Sequence, residues 1–323
     1  MGIRQSTNAW QFWMDRGGTF TDVIGLSPEG RLYVRKVLSA PPDSAGAAGH
    51  AHAQASPPPD PGILGVRAIL ADASPASREA RIDSVKVGTT VATNALLERK
   101  GEPVALVTTA GFGDALRIGY QSRPDIFARH IVLPDRLYTT VIEAQERVDA
   151  AGRVLIPLDT QRLRADLLRA KKQGLRAVAI VFVHGWRYPD HERQAAALAR
   201  EIGFEEVSVS HELSPLVRYV ARGDTTVLNA YLAPALGRYV RGLQQQLRTL
   251  DPHARLELMQ SSGGLATAER FHAMSSVLSG PAGGLIGMAW IGKRLGVQRL
   301  IGFDMGGTST DVSLLDGELP RRF

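Results

Sequence analysis

Two nine-residue phrases in this chain carry the residue types that phosphate and Mg²⁺ chemistry requires. The first reads Asp15-Arg16-Gly17-Gly18-Thr19-Phe20-Thr21-Asp22-Val23, the second Asp304-Met305-Gly306-Gly307-Thr308-Ser309-Thr310-Asp311-Val312, and seven of the nine positions are identical. Glycine lets backbone N–H groups approach phosphate oxygens closely. Threonine hydroxyls add donors, and aspartates suit Mg²⁺ or its bound waters. One copy alone would need no more than a tight hairpin to explain it. Two copies, with Thr and a second Asp at matching offsets, predict two related half-structures gripping one nucleotide between them. No Gly-Lys-Ser/Thr opens a helix, so the pattern is not a P-loop.

The elements that must position these phrases follow from the pattern of apolar residues. Each phrase follows a mostly apolar run (Trp10 to Met14; Leu300 to Phe303) and leads into another, which reads as strand, glycine turn, strand. Residues 10–38 predict two or three strands. Helices are expected over Ile63–Leu70, Val91–Arg99, Thr160–Lys172 and Asp190–Glu201, with another beginning near Phe112. Strands are expected over Ser84–Val87, Val104–Thr108, Val207–Ser210 and Leu256–Met259. Ala177–Val183 is wholly apolar, the mark of a buried parallel strand. Thr225–Leu250 is long and helical, with Pro234 expected to interrupt it. A last helix runs from Gly280-Pro281 to about Leu295. This alternation predicts an α/β protein. Ser39 to Gly62 holds six of the 18 prolines and two histidines, and reads as a flexible loop.

With 323 residues, the chain is long enough for two domains and a sizeable core. Hydrophobic content of 44% and charged content of 22% are ordinary for a globular protein. The absence of cysteine excludes disulfides, thiolate metal sites and a cysteine nucleophile. No apolar stretch reaches membrane-span length, and the polar start at Met1 to Asn8 has no signal-peptide core, so a cytoplasmic protein with no membrane partner is expected. The net charge of +6 comes from 32 Arg and 6 Lys, which are scattered. Without a basic stripe and interleaved aromatics, no nucleic-acid partner is expected.

Other constellations have two readings each. Ser279-Gly280-Pro281-Ala282-Gly283-Gly284 opens a helix, with Pro281 suited to its first position. That terminus either faces an anion or uses its glycines for close packing. Gly88-Thr89-Thr90 is either a helix cap or part of a site. His184 and His191, with Glu192, offer metal ligation or acid–base chemistry against a structured loop with satisfied histidines. Arg222-Gly223-Asp224 reads as a coincidental adhesion tripeptide. Gly111-Phe112-Gly113 lacks the third glycine of a dinucleotide site, and no Gly-x-Ser-x-Gly elbow is present.

Together, these residues resemble the hydantoinase/oxoprolinase family. The resemblance rests on Phe12 to Asp22, on Gly88-Thr89-Thr90-Val91-Ala92-Thr93-Asn94-Ala95-Leu96-Leu97-Glu98-Arg99-Lys100-Gly101, on Ser279 to Gly284, and on Gly302 to Val312. It runs from about Gln11 to Leu319. Asp15-Arg16-Gly17 and the stretch from Arg222 to Pro234 lean toward its 5-oxoprolinase branch. The resemblance implies an actin-like ATPase fold, shared with sugar kinases, whose second half is truncated here. It implies a domain over 9–205, containing the 39–62 loop, and the incomplete start of another over 206–323. It also implies ATP-dependent opening of the 5-oxoproline lactam to glutamate, a step of glutathione metabolism, with ATP and Mg²⁺ as cofactors. By carry-over, Asp15 and Asp304 are the catalytic and metal candidates. Gly17, Gly18, Thr19, Thr21 and Asp22 would form the first phosphate hairpin, and Gly306, Gly307, Thr308, Thr310 and Asp311 the second.

The chain departs from the family pattern in two places. The Pro/Ala/His stretch at 44–61 resembles a surface insertion. The family also continues far beyond the second hairpin, which implies that a missing C-terminal region or a partner subunit completes the site around a small cyclic amide. An ATP-dependent hydantoinase and an inactive nucleotide-binding fragment are the alternatives. The sequence does not single out residues for the substrate carboxylate: Arg117 and Arg123 lie in a family-like segment, with a surface role as the equal alternative. A truncated sheet predicts poor solubility of the isolated chain.

Overall fold

The structure, a computed structural model, describes residues 8–39, 59–73, 80–121, 125–133, 135–305 and 310–317. The chain begins with β1 (Trp10–Arg16), β2 (Phe20–Leu26), β3 (Leu32–Leu38), α1 (Pro61–Ala73), β4 (Ile82–Thr89) and α2 (Val91–Leu97). It continues with β5 (Val104–Thr109), the single turn α3 (Ala115–Ile118), β6 (Tyr138–Ala144), β7 (Arg147–Val148), β8 (Val154–Ile156) and α4 (Thr160–Lys172). Next come β9 (Ala177–Val181), α5 (Asp190–Ile202), β10 (Glu206–Val209), the short α6 (Ser210–Leu213) and α7 (Tyr219–Arg248). The last elements are β11 (Arg255–Met259), β12 (Leu265–Thr267), α8 (Ser279–Leu295), β13 (Arg299–Met305) and β14 (Thr310–Asp316). Most of the 39–62 loop lies outside the described residues.

Two compact units form. One takes the described residues within Met1–Asn94, Gly237–Phe271 and Ser275–Phe323. Its main sheet has the order β12-β11-β4-β1-β2-β3. β1 runs antiparallel to β2 and parallel to β4, which in turn runs parallel to β11. Side chains alternate across a strand. Phe12, Met14, Val23, Val85 and Val87 are therefore buried on one face, with Ile63, Val66 and Ile69 of α1 in the same core. The opposite parity on β1, Gln11, Trp13 and Asp15, stays accessible. β13 and β14 form a separate two-stranded sheet in this unit.

The second unit takes Ala95–Leu236 and His272–Met274. Its parallel sheet has the order β10-β9-β5-β6. β5 and β9 are buried along their whole length, as expected of parallel strands covered on both faces. Leu163, Leu167 and Ala170 of α4 pack into one core with Ala195, Ala196 and Ala199 of α5. Asp159 caps α4 by accepting from Arg162 N at 2.9 Å.

Three local expectations need correction. α7 is a continuous 30-residue helix that starts at Tyr219 and carries Pro234 inside it. A proline there removes one backbone bond; burial of Val227, Ala230, Leu232, Leu236, Val240 and Leu243 along the helix offsets the loss. β9 ends at Val181 rather than Val183, because side chains take the next two amides. Phe182 N donates to Glu192 Oε1 at 2.9 Å and Val183 N to Thr109 Oγ1 at 3.0 Å. The helix expected near Phe112 begins only at Ala115. Glu143 Oε1 holds the preceding turn by accepting from Gly111 N and Gly113 N, both at 2.9 Å. Among the described residues, no helix is long and apolar enough to cross a membrane.

Candidate phosphate-binding site

The first glycine phrase forms the predicted hairpin. β1 and β2 pair so that Asp15 faces Asp22 and Arg16 faces Thr21, and Gly17 N closes the turn on Phe20 O at 3.0 Å. A Cβ on Gly17 would stand 3.0 Å from that same oxygen, so the turn is tight for any side chain. Ser39, the residue after β3, braces the loop. Its N donates to Thr19 O at 2.9 Å and its Oγ to Gly17 O at 2.8 Å. Thr21 Oγ1 lies 2.9 Å from Ser39 Oγ. Because the Ser39 proton goes to Gly17, Thr21 is the donor of that pair. Thr21 is thus turned to the buried face of the sheet, at 1% exposure, while Asp15 and Asp22 share the open face. Gly18 and Thr19 are exposed at the tip.

The second phrase repeats the register. β13 and β14 pair Asp304 with Asp311 and Met305 with Thr310. Gly306, Gly307, Thr308 and Ser309, which include three of the expected phosphate contacts, lie outside the described residues. Asp304 and Thr310 are exposed, and Asp311 is half-buried. Each hairpin therefore sets two carboxylates directly across from one another, an arrangement that repels unless a cation intervenes. Lys36 Nζ, 2.8 Å from Asp22 Oδ2, compensates one of the four. Burial raises the pKa of Asp15, and the charges of Asp22 and Asp304 raise it further against the opposing effect of Lys36. The structure thus brings Asp22 and Asp304 within electrostatic reach of Asp15.

These carboxylates fit Mg²⁺. Among the described residues, no three carboxylate or imidazole groups converge to hold a metal by themselves. Mg²⁺ keeps several waters and is held through one or two carboxylates plus phosphate oxygens. Supply of one or two acids from each hairpin is what that chemistry needs.

The Gly88-Thr89-Thr90 stretch joins the first hairpin to α2. Thr90 N and Thr90 Oγ1 both donate to Arg16 O at 3.2 Å, and Val91 N donates to Thr89 Oγ1 at 3.2 Å. Thr89, one position before the N-cap, therefore accepts from the first helical amide, and the N-cap Thr90 spends its hydroxyl on Arg16 O. Arg16 reaches Asp60 Oδ2 at 2.6 Å and lies 4.7 Å from the centre of the Tyr239 ring. α8 starts after Leu278, whose φ of 60° is strained for a branched side chain. Ser279 is fully buried, its Oγ donating to Thr89 O at 3.3 Å. Pro281 occupies the third helical position rather than the first, where its missing N–H still forfeits no intrahelical bond. Between α8 and the open face of the sheet lies a cavity of about 310 Å³. Trp13, Asp15, Asp22 and Lys86 line it, with Gly280 and Gly284 of α8.

The histidine constellation is hydrogen-bonded to buried carboxylates. His191 Nδ1 is 2.7 Å from Glu146 Oε2, and Glu192 Oε2 is 2.7 Å from His211 Nδ1. Glu192 Oε1 also accepts from Ser210 Oγ at 2.5 Å and Arg222 Nη1 at 3.3 Å. His184 stands apart in a left-handed turn with φ of 60°. Arg222, passed over in the sequence as part of a coincidental tripeptide, is a fully buried member of this network. Arg117 lies in α3, and Arg123 lies outside the described residues. Sequence reasoning missed Ser39, Lys86 and the Glu192–Arg222 pair. Only Lys86 left a signal: a charged residue between Val85 and Val87, two positions before the Gly88-Thr89-Thr90 motif.

The fold and the paired glycine hairpins define an α/β protein of the actin-like ATPase class. Residues 11–203 match the hydantoinase/oxoprolinase N-terminal region and residues 222–323 the hydantoinase/oxoprolinase domain, so the chain belongs to the hydantoinase/oxoprolinase family. It is 40% identical to 5-oxoprolinase 1 of Arabidopsis thaliana over 335 residues, which covers 95% of this chain and 25% of that protein. The crystal structure of ATP-dependent caprolactamase from Pseudomonas jessenii superposes with a TM-score of 0.75 at 32% identity, covering 94% of this chain and 43% of that one. Nucleotide-free acetone carboxylase shares the fold, with a TM-score of 0.77 at 22% identity over 95% of this chain and 44% of that one. The chain thus spans about a quarter of the plant 5-oxoprolinase and under half of the other two.

Proposed function

We propose that this chain is the ATP-binding part of a 5-oxoprolinase, which opens 5-oxo-L-proline to L-glutamate at the expense of ATP. The observation that carries this reading is the repeated hairpin register, Asp15 opposite Asp22 and Asp304 opposite Asp311, in a chain 40% identical to a named 5-oxoprolinase. A lactam carbonyl is resonance-stabilised and resists water. Attack of its oxygen on the γ-phosphorus expels ADP and leaves a phosphorylated imidate. Water then adds at the imidate carbon, the C–N bond breaks with the nitrogen leaving as the amine, and a second water displaces phosphate from the resulting γ-glutamyl phosphate to give glutamate. The protein's contribution is positioning and charge neutralisation. In this reading the exposed backbone of Gly18 and Thr19 cradles phosphate oxygens on one side, with Gly17 shaping the turn that presents them. Gly306, Gly307, Thr308 and Thr310 do so on the other. Asp15 and Asp304 take the Mg²⁺ and its waters, and Asp22 and Asp311 support them. When bound, Mg²⁺ neutralises the phosphate oxygens. Thr21 serves the hairpin through Ser39 rather than by touching phosphate.

The test is made on the full-length protein: ADP and glutamate release are followed with 5-oxoproline, hydantoin and caprolactam as substrates. Stoichiometric ADP and glutamate from 5-oxoproline support the reading. ATP cleavage driven by hydantoin and not by 5-oxoproline replaces the substrate. Absence of ATP binding removes the reading altogether.

A further inference from the structure

We propose that Lys86 holds the carboxylate of an anionic cyclic amide in the cavity beside Asp15, and so selects acidic lactams over neutral ones. This rests on the ATP-dependent lactam reading above and names the group that sets its substrate class.

The sheet register puts Lys86 directly opposite Trp13 on β1 and Glu257 on β11. Its ammonium lies 4.6 Å from the centre of the Trp13 ring. Its hydrogen bonds go to neutral groups and are long, 3.4 Å to Gln11 Oε1 and 3.3 Å to Ser84 Oγ. Lys36 and Lys100, by contrast, each meet a carboxylate, whereas Lys86 forms no ion pair among the described residues. Burial lowers its pKa, partly opposed by the more distant charges of Glu257 and Asp83. The ammonium has thus lost part of its water while Glu257, opposite in register, forms no direct ion pair with it among the described residues, and a ligand carboxylate would supply a direct partner.

The space around it has the right form for a small ring. The cavity of about 310 Å³ is at the lower end of the range for small-molecule sites. Trp13 supplies a flat apolar wall. A Cβ built on Gly280 or Gly284 meets nothing within 4 Å. Packing among the described residues therefore does not account for these glycines, and their lack of side chains keeps the cavity open. Asp15 pairs with Gly88, one row further along the same face than the Trp13–Lys86 pair. A ring laid against Trp13 can carry a carboxylate toward the Lys86 end of this face and an amide toward the Asp15 end. The carboxylate then meets Lys86, and the amide oxygen points toward Asp15 and the phosphate hairpins.

Calorimetry on the full-length protein, with Mg²⁺ and a non-hydrolysable ATP analogue present, measures binding of 5-oxoproline and of 2-pyrrolidinone, the same ring without its carboxylate. Wild type, Lys86→Met and Lys86→Arg are compared, with thermal melts to verify folding. The expected result is that Lys86→Met weakens 5-oxoproline roughly ten- to hundredfold, the worth of one charge-assisted bond. Affinity for 2-pyrrolidinone and for nucleotide stays as in wild type, and Lys86→Arg keeps most of the 5-oxoproline affinity. The assignment is overturned if Lys86→Met binds 5-oxoproline like wild type, if both lactams weaken equally, or if wild type binds neither. Lys86-dependent lactam selectivity without nucleotide binding would count against the ATP-dependent reading and leave the Lys86 assignment standing.

Discussion

Replacing Ser39 with alanine tests whether the first glycine hairpin is held in shape by a residue outside the motif. The Ser39 hydroxyl is the middle of a relay: Thr21 Oγ1 donates to it at 2.9 Å, and it donates to Gly17 O at 2.8 Å. Its removal strips a donor from the turn carbonyl and strands the Thr21 hydroxyl at 1% exposure. Two such bonds contribute about 0.5–1.5 kcal/mol each, so the expected loss is about 1–3 kcal/mol. The Ser39 N to Thr19 O bond survives the substitution, so the hairpin loosens at Gly17 rather than detaching. Denaturant midpoints measure the stability, and calorimetry with Mg-ATP measures affinity, which is expected to fall up to about tenfold, the equivalent of 1.4 kcal/mol. Thr21→Val is the internal control. It removes only the first bond, with near-equal shape, and the expected loss is about half as large. A Ser39→Ala protein that unfolds and binds ATP like wild type would refute the reasoning, as would Thr21→Val proving the more damaging change.

Asp15→Asn is expected to abolish Mg-ATP stabilisation without lowering the melting temperature of the free chain. The folded pKa of Asp15 is raised, so the folded state binds that proton more tightly than the unfolded state. Stability is then lost as pH rises from the ordinary carboxylate value through the raised one. Melts across pH 3–8 should show the variant equal to wild type at the acid end and no less stable above it; a uniformly lower melt contradicts this. Glu192→Gln should destabilise by about 3–5 kcal/mol, because it leaves buried Arg222 without its counter-charge, and a loss under 1 kcal/mol in urea unfolding refutes that. Gly284→Ala should stabilise α8 by up to about 1 kcal/mol, since its Cβ meets nothing, yet weaken 5-oxoproline binding; unchanged affinity would show that the cavity is not used. The β13–β14 hairpin exposes Ile301, Phe303, Met305, Val312 and Leu314, so Phe303→Lys should reduce self-association of the chain in sedimentation velocity, and unchanged sedimentation would argue against that face as the contact.

Much of the site was legible in the sequence because its requirements are local. A tight turn between two strands needs glycine at the turn and alternation on either side. Both appear within nine consecutive residues, so the Asp15 and Asp304 hairpins and their family could be read directly. The strand at Ala177 and the helix at Thr160 were legible for the same reason, since burial on both faces and amphipathic periodicity leave short-range marks. Pro234 misled because its local penalty was visible while the packing of Val227 to Leu243 that outweighs it was not. β9 stopped short of Val183 because Glu192 and Thr109, ten and more residues away, took the amides that a ladder would have used.

The composition and spacing of this chain by themselves determined an α/β protein with two glycine hairpins of one design. Only the tertiary structure decided which hydroxyls and charges lie on the open face of the sheet. The fold turns Thr21 inward to Ser39, buries Arg222 on Glu192, and leaves Lys86 beside Trp13 with no ion pair among the described residues. Those outcomes depend on strand register and on contacts between residues far apart in sequence, such as the Lys86–Trp13 pairing across 73 positions. A pattern of neighbours along the chain sets which elements form. The pairing of distant strands sets which side chains meet, and so where the charge resides.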